Sequence, residues 1–120
     1  MKGYKELKVY NRSYKAAKAV YEVTKNFPKE ERFGVTDQMR RAALSIPLNI
    51  AEGYAKRESQ SEFKRFLMMA IGSSNEMLVL IDFSKDIGYI NGELHTKMYA
   101  EYEEIAKMLS KYLQTVKSKI

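Results

Sequence analysis

Phe27-Pro-Lys-Glu-Glu-Arg-Phe-Gly-Val-Thr-Asp-Gln-Met-Arg-Arg-Ala-Ala-Leu-Ser-Ile-Pro-Leu-Asn-Ile-Ala-Glu-Gly53 is the stretch that decides the fold, with its continuation Phe63-Lys-Arg-Phe-Leu67 and Gly72-Ser-Ser-Asn-Glu76. Met39, Ala43, Ile46, Ile50 and Tyr54 recur at spacings of three and four, the period of a helix with one apolar face. Phe63, Leu67, Ala70, Ser74, Met77 and Ile81 repeat the pattern in the next segment. Between them, Ser59-Gln-Ser-Glu62 is a capping-box signature that opens a new helix. The stretch therefore predicts two adjacent antiparallel helices joined near Arg57–Glu58. Pro47 inside the first of them predicts a kink near Leu44–Ile46, because proline removes a backbone donor.

The flanks read the same way. A first helix is predicted from Leu7 to Asn26, with Tyr10, Tyr14, Ala17, Tyr21 and Thr24 on its core face. Phe27-Pro28 ends it, since the residue before proline is pushed out of helical geometry. Thr36 is the expected N-cap of the second helix, with Asp37 suiting its positive end. Gly88 closes the third helix as a left-handed cap. Asn91 caps a fourth, whose core face is Leu94, Met98, Tyr102, Ile105, Leu109, Tyr112 and Val116. No alternating strand pattern occurs. The expected class is all-α, an antiparallel up-down-up-down four-helix bundle forming one domain over residues 1–120.

Composition narrows the function classes. The chain has no cysteine and a single histidine, His95, which excludes disulfides and thiolate or histidine-cluster metal sites. No metal and no cofactor is expected. His95 reads as a solvent-exposed residue. The glycines are isolated, so there is no phosphate-cradling loop. No catalytic constellation emerges, and the chain reads as a non-enzyme. The N-terminus lacks an apolar run of signal-peptide type, and no segment is uninterruptedly apolar over a membrane's width. The expectation is a cytoplasmic protein without a membrane partner.

Net charge is +6, with a pI near 9.4. Up to Lys25 there are seven basic residues against Glu6 and Glu22, so most of the excess sits in the first helix. A basic surface attracts polyanions through counterion release. Lys8, Arg12 and Lys15 on that helix, and Lys56, Arg57, Lys64 and Arg65 around the central turn, are the candidate phosphate contacts for RNA or DNA. A solvated lysine-rich face fits the same residues.

Helices 2 and 3 carry a second apolar face each. Leu44 and Leu48 lie away from the Met39–Ile50 stripe, and Met68, Val79 and Phe83 lie opposite the Phe63–Ile81 stripe. Such surplus predicts self-association through these five residues. Coverage by helices 1 and 4 is the competing explanation. A polar stripe on helix 2 includes Arg41, Asn49 and Glu52. Counting back from the central turn places Ala42 and Ala43 level with Gly72 and Ser73, a close approach of small residues. The same count predicts a network joining Arg41, Asn49 and Glu52 to Ser73 and Glu76.

These residues also carry a family resemblance. Phe27-Pro28, Glu31-Arg-Phe-Gly34, Gln38-Met-Arg-Arg-Ala-Ala43, Ser45-Ile-Pro-Leu-Asn-Ile-Ala-Glu-Gly53, Phe63, Phe66-Leu67, Ala70-Ile-Gly-Ser73, Glu76 and Gly88-Tyr-Ile90 closely resemble the 23S rRNA intervening-sequence proteins. Many members have a tryptophan in helix 1 where this chain has Val9–Tyr10. The resemblance implies a four-helix bundle assembled as a homopentamer. Some members are encoded within intervening sequences of ribosomal RNA genes. A more distant similarity is to the accessory protein of diversity-generating retroelements, a basic pentamer that works with a reverse transcriptase and nucleic acid. The function these features imply is a non-enzymatic oligomer binding structured RNA. The alternative is a protein-interaction scaffold without direct nucleic-acid binding.

Overall fold

The computed structural model describes residues 3–117, and these form four helices around one core. They are α1 (Lys8–Thr24), α2 (Val35–Ala55), α3 (Gln60–Asp86) and α4 (Gly92–Lys117). Short 3-10 turns, Tyr4–Glu6 and Lys29–Glu31, precede α1 and α2. No strand occurs among the described residues. The bundle measures 46 × 22 × 21 Å, its long axis set by α3, whose 27 residues span about 40 Å at 1.5 Å per residue. The most extensive helix pairing is α2 with α3, followed by α3 with α4 and α1 with α2.

The termini of α3 and α4 follow local chemistry. The Ser59 hydroxyl accepts from the Glu62 N–H at 3.3 Å, which satisfies one of the donors left free in the first turn of α3. At the other end, the Gly88 N–H donates to Lys85 and the Tyr89 N–H to Ser84, and Gly88 adopts a φ of 83°. This is a Schellman closure, and only glycine takes that backbone angle without strain. Asn91 Oδ1 accepts from the Leu94 N–H at 2.8 Å and starts α4.

The start of α2 differs from expectation. The helix begins at Val35, two residues early, and Thr36 is buried in its first turn. The cap comes from outside the helix: Glu31 Oε1 accepts from the Val35 N–H at 3.1 Å. Its other oxygen accepts from the Tyr89 hydroxyl at 2.6 Å. Glu31 thus ties the α1–α2 connection to the α3–α4 connection at the same end of the bundle. The Tyr89 ring lies 5.1 Å from that of Phe27. α2 itself runs unbroken through Pro47, which is buried.

The core stripes of α2 and α3 are as expected: Met39, Ala43, Ile46, Ile50, Leu67, Ala70, Met77 and Ile81 are fully enclosed. On α4, Met98, Tyr102, Ile105, Leu109 and Val116 are buried, with Leu94 and Tyr112 at the margin. α1 is rotated from the expected position. Its buried residues are Val9, Ser13, Ala16, Ala17, Val20 and Thr24, and Tyr14 faces solvent. Small side chains seat the helix against the core, and the bulkier tyrosines are displaced to its flank, where their hydroxyls stay wet. There the Tyr4, Tyr10 and Tyr14 rings pack in sequence, 4.7 and 5.9 Å apart.

The close approach of α2 to α3 also lies elsewhere than the sequence count implies. Gly72 is exposed with open space around it, whereas a Cβ on Gly53 would sit 2.8 Å from Cβ of Phe66. Ser45 meets Ser73 at 2.8 Å, which slides the pairing by roughly one helical turn from the expected register. The turn spans Lys56–Ser59, centred on the expected Arg57–Glu58.

Two substitutions test this packing. Gly53→Ala forces a methyl group into backbone-proximal atoms that cannot swing aside. Such overpacking costs about 1–3 kcal/mol, which outweighs the ~1 kcal/mol helix-propensity gain of alanine over glycine, so the urea midpoint should fall. Tyr102 is buried and its hydroxyl has no hydrogen-bond partner among the described residues. Leaving such a group unpaired costs roughly 1–3 kcal/mol, so Tyr102→Phe should keep or raise the thermal midpoint.

Candidate nucleic-acid interface

The antiparallel order places the N-terminus of α1, the α2–α3 turn and the C-terminal part of α4 at one end of the bundle. The Tyr54, Phe63 and Tyr112 rings pack edge to face there, at 6.3 and 5.4 Å. Four cations from the turn region surround this aromatic end. The Arg57 guanidinium lies 4.2 Å from the Tyr54 ring and donates to the Tyr54 carbonyl at 2.8 Å. Lys56 and Arg65 lie 4.9 and 4.5 Å from the Phe66 ring. Aromatic faces hold cations in defined places and leave their outward N–H groups available. Lys64 completes the group.

The ion pairs divide the seven candidate cations. Arg12 is committed to α4, with Nε and Nη2 donating to the two oxygens of Glu101 at 2.8 and 3.0 Å. This fork raises the Arg12 pKa further and makes the residue a strut between α1 and α4. Lys56 pairs with Glu52 at 3.3 Å, and Arg65 pairs with Glu62 at 3.1 Å. The Arg65 guanidinium in turn holds the Glu62 carboxyl below its ordinary range. Lys8, Lys15, Arg57 and Lys64 have no carboxylate partner among the described residues. Lys8 opens α1 and so lies at the same end as the turn.

The expected network on α2 and α3 does not form. The Arg41 side chain is 80% exposed and pairs within its own helix, Nε to Asp37 at 2.9 Å. Glu76 is exposed and joins no ion pair among the described residues. What forms instead is smaller and uncharged. Ser45 and Ser73 bond across the helices, and Asn49 donates to the Ser45 hydroxyl at 2.9 Å and its carbonyl at 2.8 Å. The register shift carries Ser73 to Ser45. Asp37 then captures Arg41 at the favourable four-residue spacing.

His95 is not the free surface residue expected. Its Nε2 lies 2.7 Å from Asp82 of α3, its side chain is largely covered, and its ring lies 5.5 Å from that of Tyr99. Among the described residues no group of three or more histidine, aspartate or glutamate side chains is arranged to hold a metal ion. The tie that Arg40 makes to α1 has no counterpart in the sequence reading. Arg40 reaches back to α1, donating Nε to the Thr24 hydroxyl at 2.9 Å and Nη2 to the Tyr21 carbonyl at 3.3 Å, and lies 4.5 Å from the Tyr21 ring. A cation against the last turn of a helix is the one available signal, and it needs the neighbouring helix to be recognised.

All five candidate interface residues face outward. Leu48 is 65% and Val79 67% exposed, with Leu44, Met68 and Phe83 also open to solvent. The two stripes lie on different sides of the molecule. Leu44 borders a recess with Tyr14, Ala17 and Tyr21 of α1, whereas Met68, Val79 and Phe83 follow the outer surface of α3. By length and hydropathy α3 is apolar enough to cross a membrane, but Phe63, Leu67, Ala70, Met77 and Ile81 are enclosed by its neighbours.

The family model for 23S rRNA-intervening sequence proteins matches residues 5–111. The chain belongs to this family. Its bundle is similar to a crystal structure from Bacteroides thetaiotaomicron, described as a protein of unknown function from the S23 ribosomal protein family. The similarity has a TM-score of 0.80 at 22% identity and covers 88% of this chain and 95% of that one. At that identity the likeness is one of fold. No curated protein matches the chain. The family's match takes in the α2–α3 pair, the Glu31 cap and the cation-bearing turn.

The Glu31 clasp gives a pH prediction. Hydrogen bonds from the Tyr89 hydroxyl and the Val35 N–H hold the Glu31 carboxyl below its ordinary range. Because the folded pKa is depressed, the stabilisation is present above the unfolded pKa, near 4.3, and lost as pH falls through the folded value. Thermal melts from pH 7 to pH 3 should show wild type losing its advantage over Glu31→Gln across that window. A constant difference would mean that the clasp is not ionised.

Proposed function

We propose that this family member is a non-enzymatic, cytoplasmic homo-oligomer that binds structured RNA through basic surface residues. The observation that carries the reading is the unneutralised charge at the α2–α3 turn. There Arg57 and Lys64 have no carboxylate partner, with Lys8 at the same end, and Tyr54 and Phe66 hold neighbouring cations in place. Cations interleaved with aromatics suit a phosphate backbone, because the rings position charge without neutralising it. The non-enzymatic reading is supported by the commitments of the helix 2 polar stripe. Arg41 is bound to Asp37, Asn49 to Ser45 and Glu52 to Lys56, so none is poised as an acid, base or nucleophile.

Self-assembly is supported by the two outward apolar stripes. Because they lie on different sides and are not copies of one patch, contact between them is heterologous, and repeated heterologous contact closes into a ring when the rotation permits. The family resemblance supports a ring of five.

Two measurements test the proposal. RNA binding followed by anisotropy should weaken steeply with salt. Reversing Lys56, Arg57, Lys64 and Arg65 together to glutamate should flatten the log–log slope by about 3, as expected for four phosphate contacts to a single-stranded region. Absence of binding by wild type at low salt removes the reading and leaves the protein-scaffold alternative. Light scattering should give a mass five times the 13.9 kDa of the chain. Leu48→Glu or Val79→Glu should yield a helical monomer, and a wild-type monomer would overturn the assembly.

A further inference from the structure

The end of the bundle opposite the α2–α3 turn carries a second concentration of unneutralised cations, set around a cleft between α1 and α2. A cavity of about 540 Å³ there has Lys25, Lys29, Arg32 and Arg40 as its only charged lining residues. It adjoins a second cavity of about 330 Å³, and Arg32, Thr36 and Arg40 line both. Most carboxylates nearby are already engaged, Asp37 by Arg41, Glu31 by the Val35 N–H and the Tyr89 hydroxyl, and Glu22 by Lys25, and the exposed Glu30 is the exception. Lys29 and Arg32 have no carboxylate partner among the described residues.

Two features point to a ligand. Thr36 is only 7% exposed, yet its hydroxyl has no hydrogen-bond partner among the described residues, and the residue lines both cavities. It sits in the first turn of the 21-residue α2, beside the Val35 N–H that the Glu31 carboxylate already caps. Beside it, Phe33 is 83% exposed at the rim of the second cavity, with the Arg32 guanidinium 4.8 Å from its ring. A large aromatic held in the open next to a guanidinium is what a stacked base requires. Arg40 is pinned to Tyr21 and Thr24 by two of its nitrogens, so its position is fixed before any ligand arrives.

We propose that this cleft holds one nucleotide of a single-stranded nucleic acid, its phosphate against Arg32, Arg40 and Thr36 and its base against Phe33. The inference rests on the nucleic-acid reading above but concerns the other end of the molecule. It makes the protein a two-ended binder, in which the turn region contacts backbone and the cleft captures an unstacked residue. Arginine forks and a hydroxyl suit a phosphate, and the exposed ring supplies contact that needs no sequence.

The test uses the full chain, a labelled single-stranded uridine oligonucleotide, uridine monophosphate and inorganic phosphate. Arg32 and Phe33 are both exposed, so Arg32→Ala and Phe33→Ala should leave the helical signal and the mass unchanged. Each should weaken oligonucleotide binding at least about fivefold, the lower end of what one lost stacked base contributes. Thr36→Val, which keeps the side-chain shape, should weaken it in the same direction. If wild type binds structured RNA but no oligonucleotide at low salt, this inference alone fails, and if it binds neither, the nucleic-acid reading fails with it. If wild type binds, the turn variant abolishes binding and both cleft variants bind as wild type, this inference alone fails. Saturable binding of uridine monophosphate or phosphate without oligonucleotide binding overturns the strand and leaves a small-ligand site. A change in mass for Phe33→Ala, with binding intact, assigns the ring to a subunit contact and overturns it as well.

Discussion

The close pairing of α2 with α3 fixes the position of everything else in the bundle. Its tightest point is Gly53 against Phe66, where no side chain fits between the two backbones. One turn pair further up, Ser45 and Ser73 join across the same seam. Between and beside these contacts lie Met39, Ile46, Ile50, Leu67, Ala70 and Met77, all fully enclosed. With two helices locked in one register, α1 and α4 have only the two remaining flanks to occupy. The outer surfaces of α2 and α3 then have nothing left to cover them, which is why Leu48 and Val79 stay open.

Charge in this protein is sorted by distance along the helix before it is sorted by tertiary contact. Lys25, Arg41, Lys56 and Arg65 each take a carboxylate three or four residues away on their own helix. Such exposed pairs contribute little to stability. Their consequence is distributional, because they cancel charge locally along the helix faces. Arg12 with Glu101 is the ion pair that spans helices α1 and α4, and His95 meets Asp82 across α3 and α4. At one end the unpaired Arg57 lies against Tyr54; at the other, Lys29 and Arg32 line the α1–α2 cleft.

Much of this architecture was legible in the sequence. The stripes of α2 and α3, the Ser59 and Asn91 caps and the Gly88 closure are as read, because each signal lies within one or two turns of chain. The five outward apolar residues were also legible, since they occupy the wrong angle for the core on helices that already have one. The tyrosines of α1 misled, because size and aromaticity suggested burial where Val9, Ala16, Ala17 and Val20 pack instead. Thr36 looked like a cap, but Glu31, four residues before Val35 and braced by Tyr89, supplies the acceptor. The Arg41 network failed because Asp37, one turn back on the same helix, holds the guanidinium.

The sequence by itself determined the four helices, where most of them stop, and which faces of α2 and α3 are apolar. Periodicity, caps and glycine angles act through the nearest few residues, so no knowledge of the partner helix is needed. Only the tertiary structure decided the α2–α3 register, the rotation of α1, and the partners of Arg12, Arg40, Arg41 and His95. A long cation has several acceptors within reach of its chain neighbours and across the seam. Which one it takes depends on where the backbones come to rest, and that is set by Gly53, the turn and the small residues of α1 acting together.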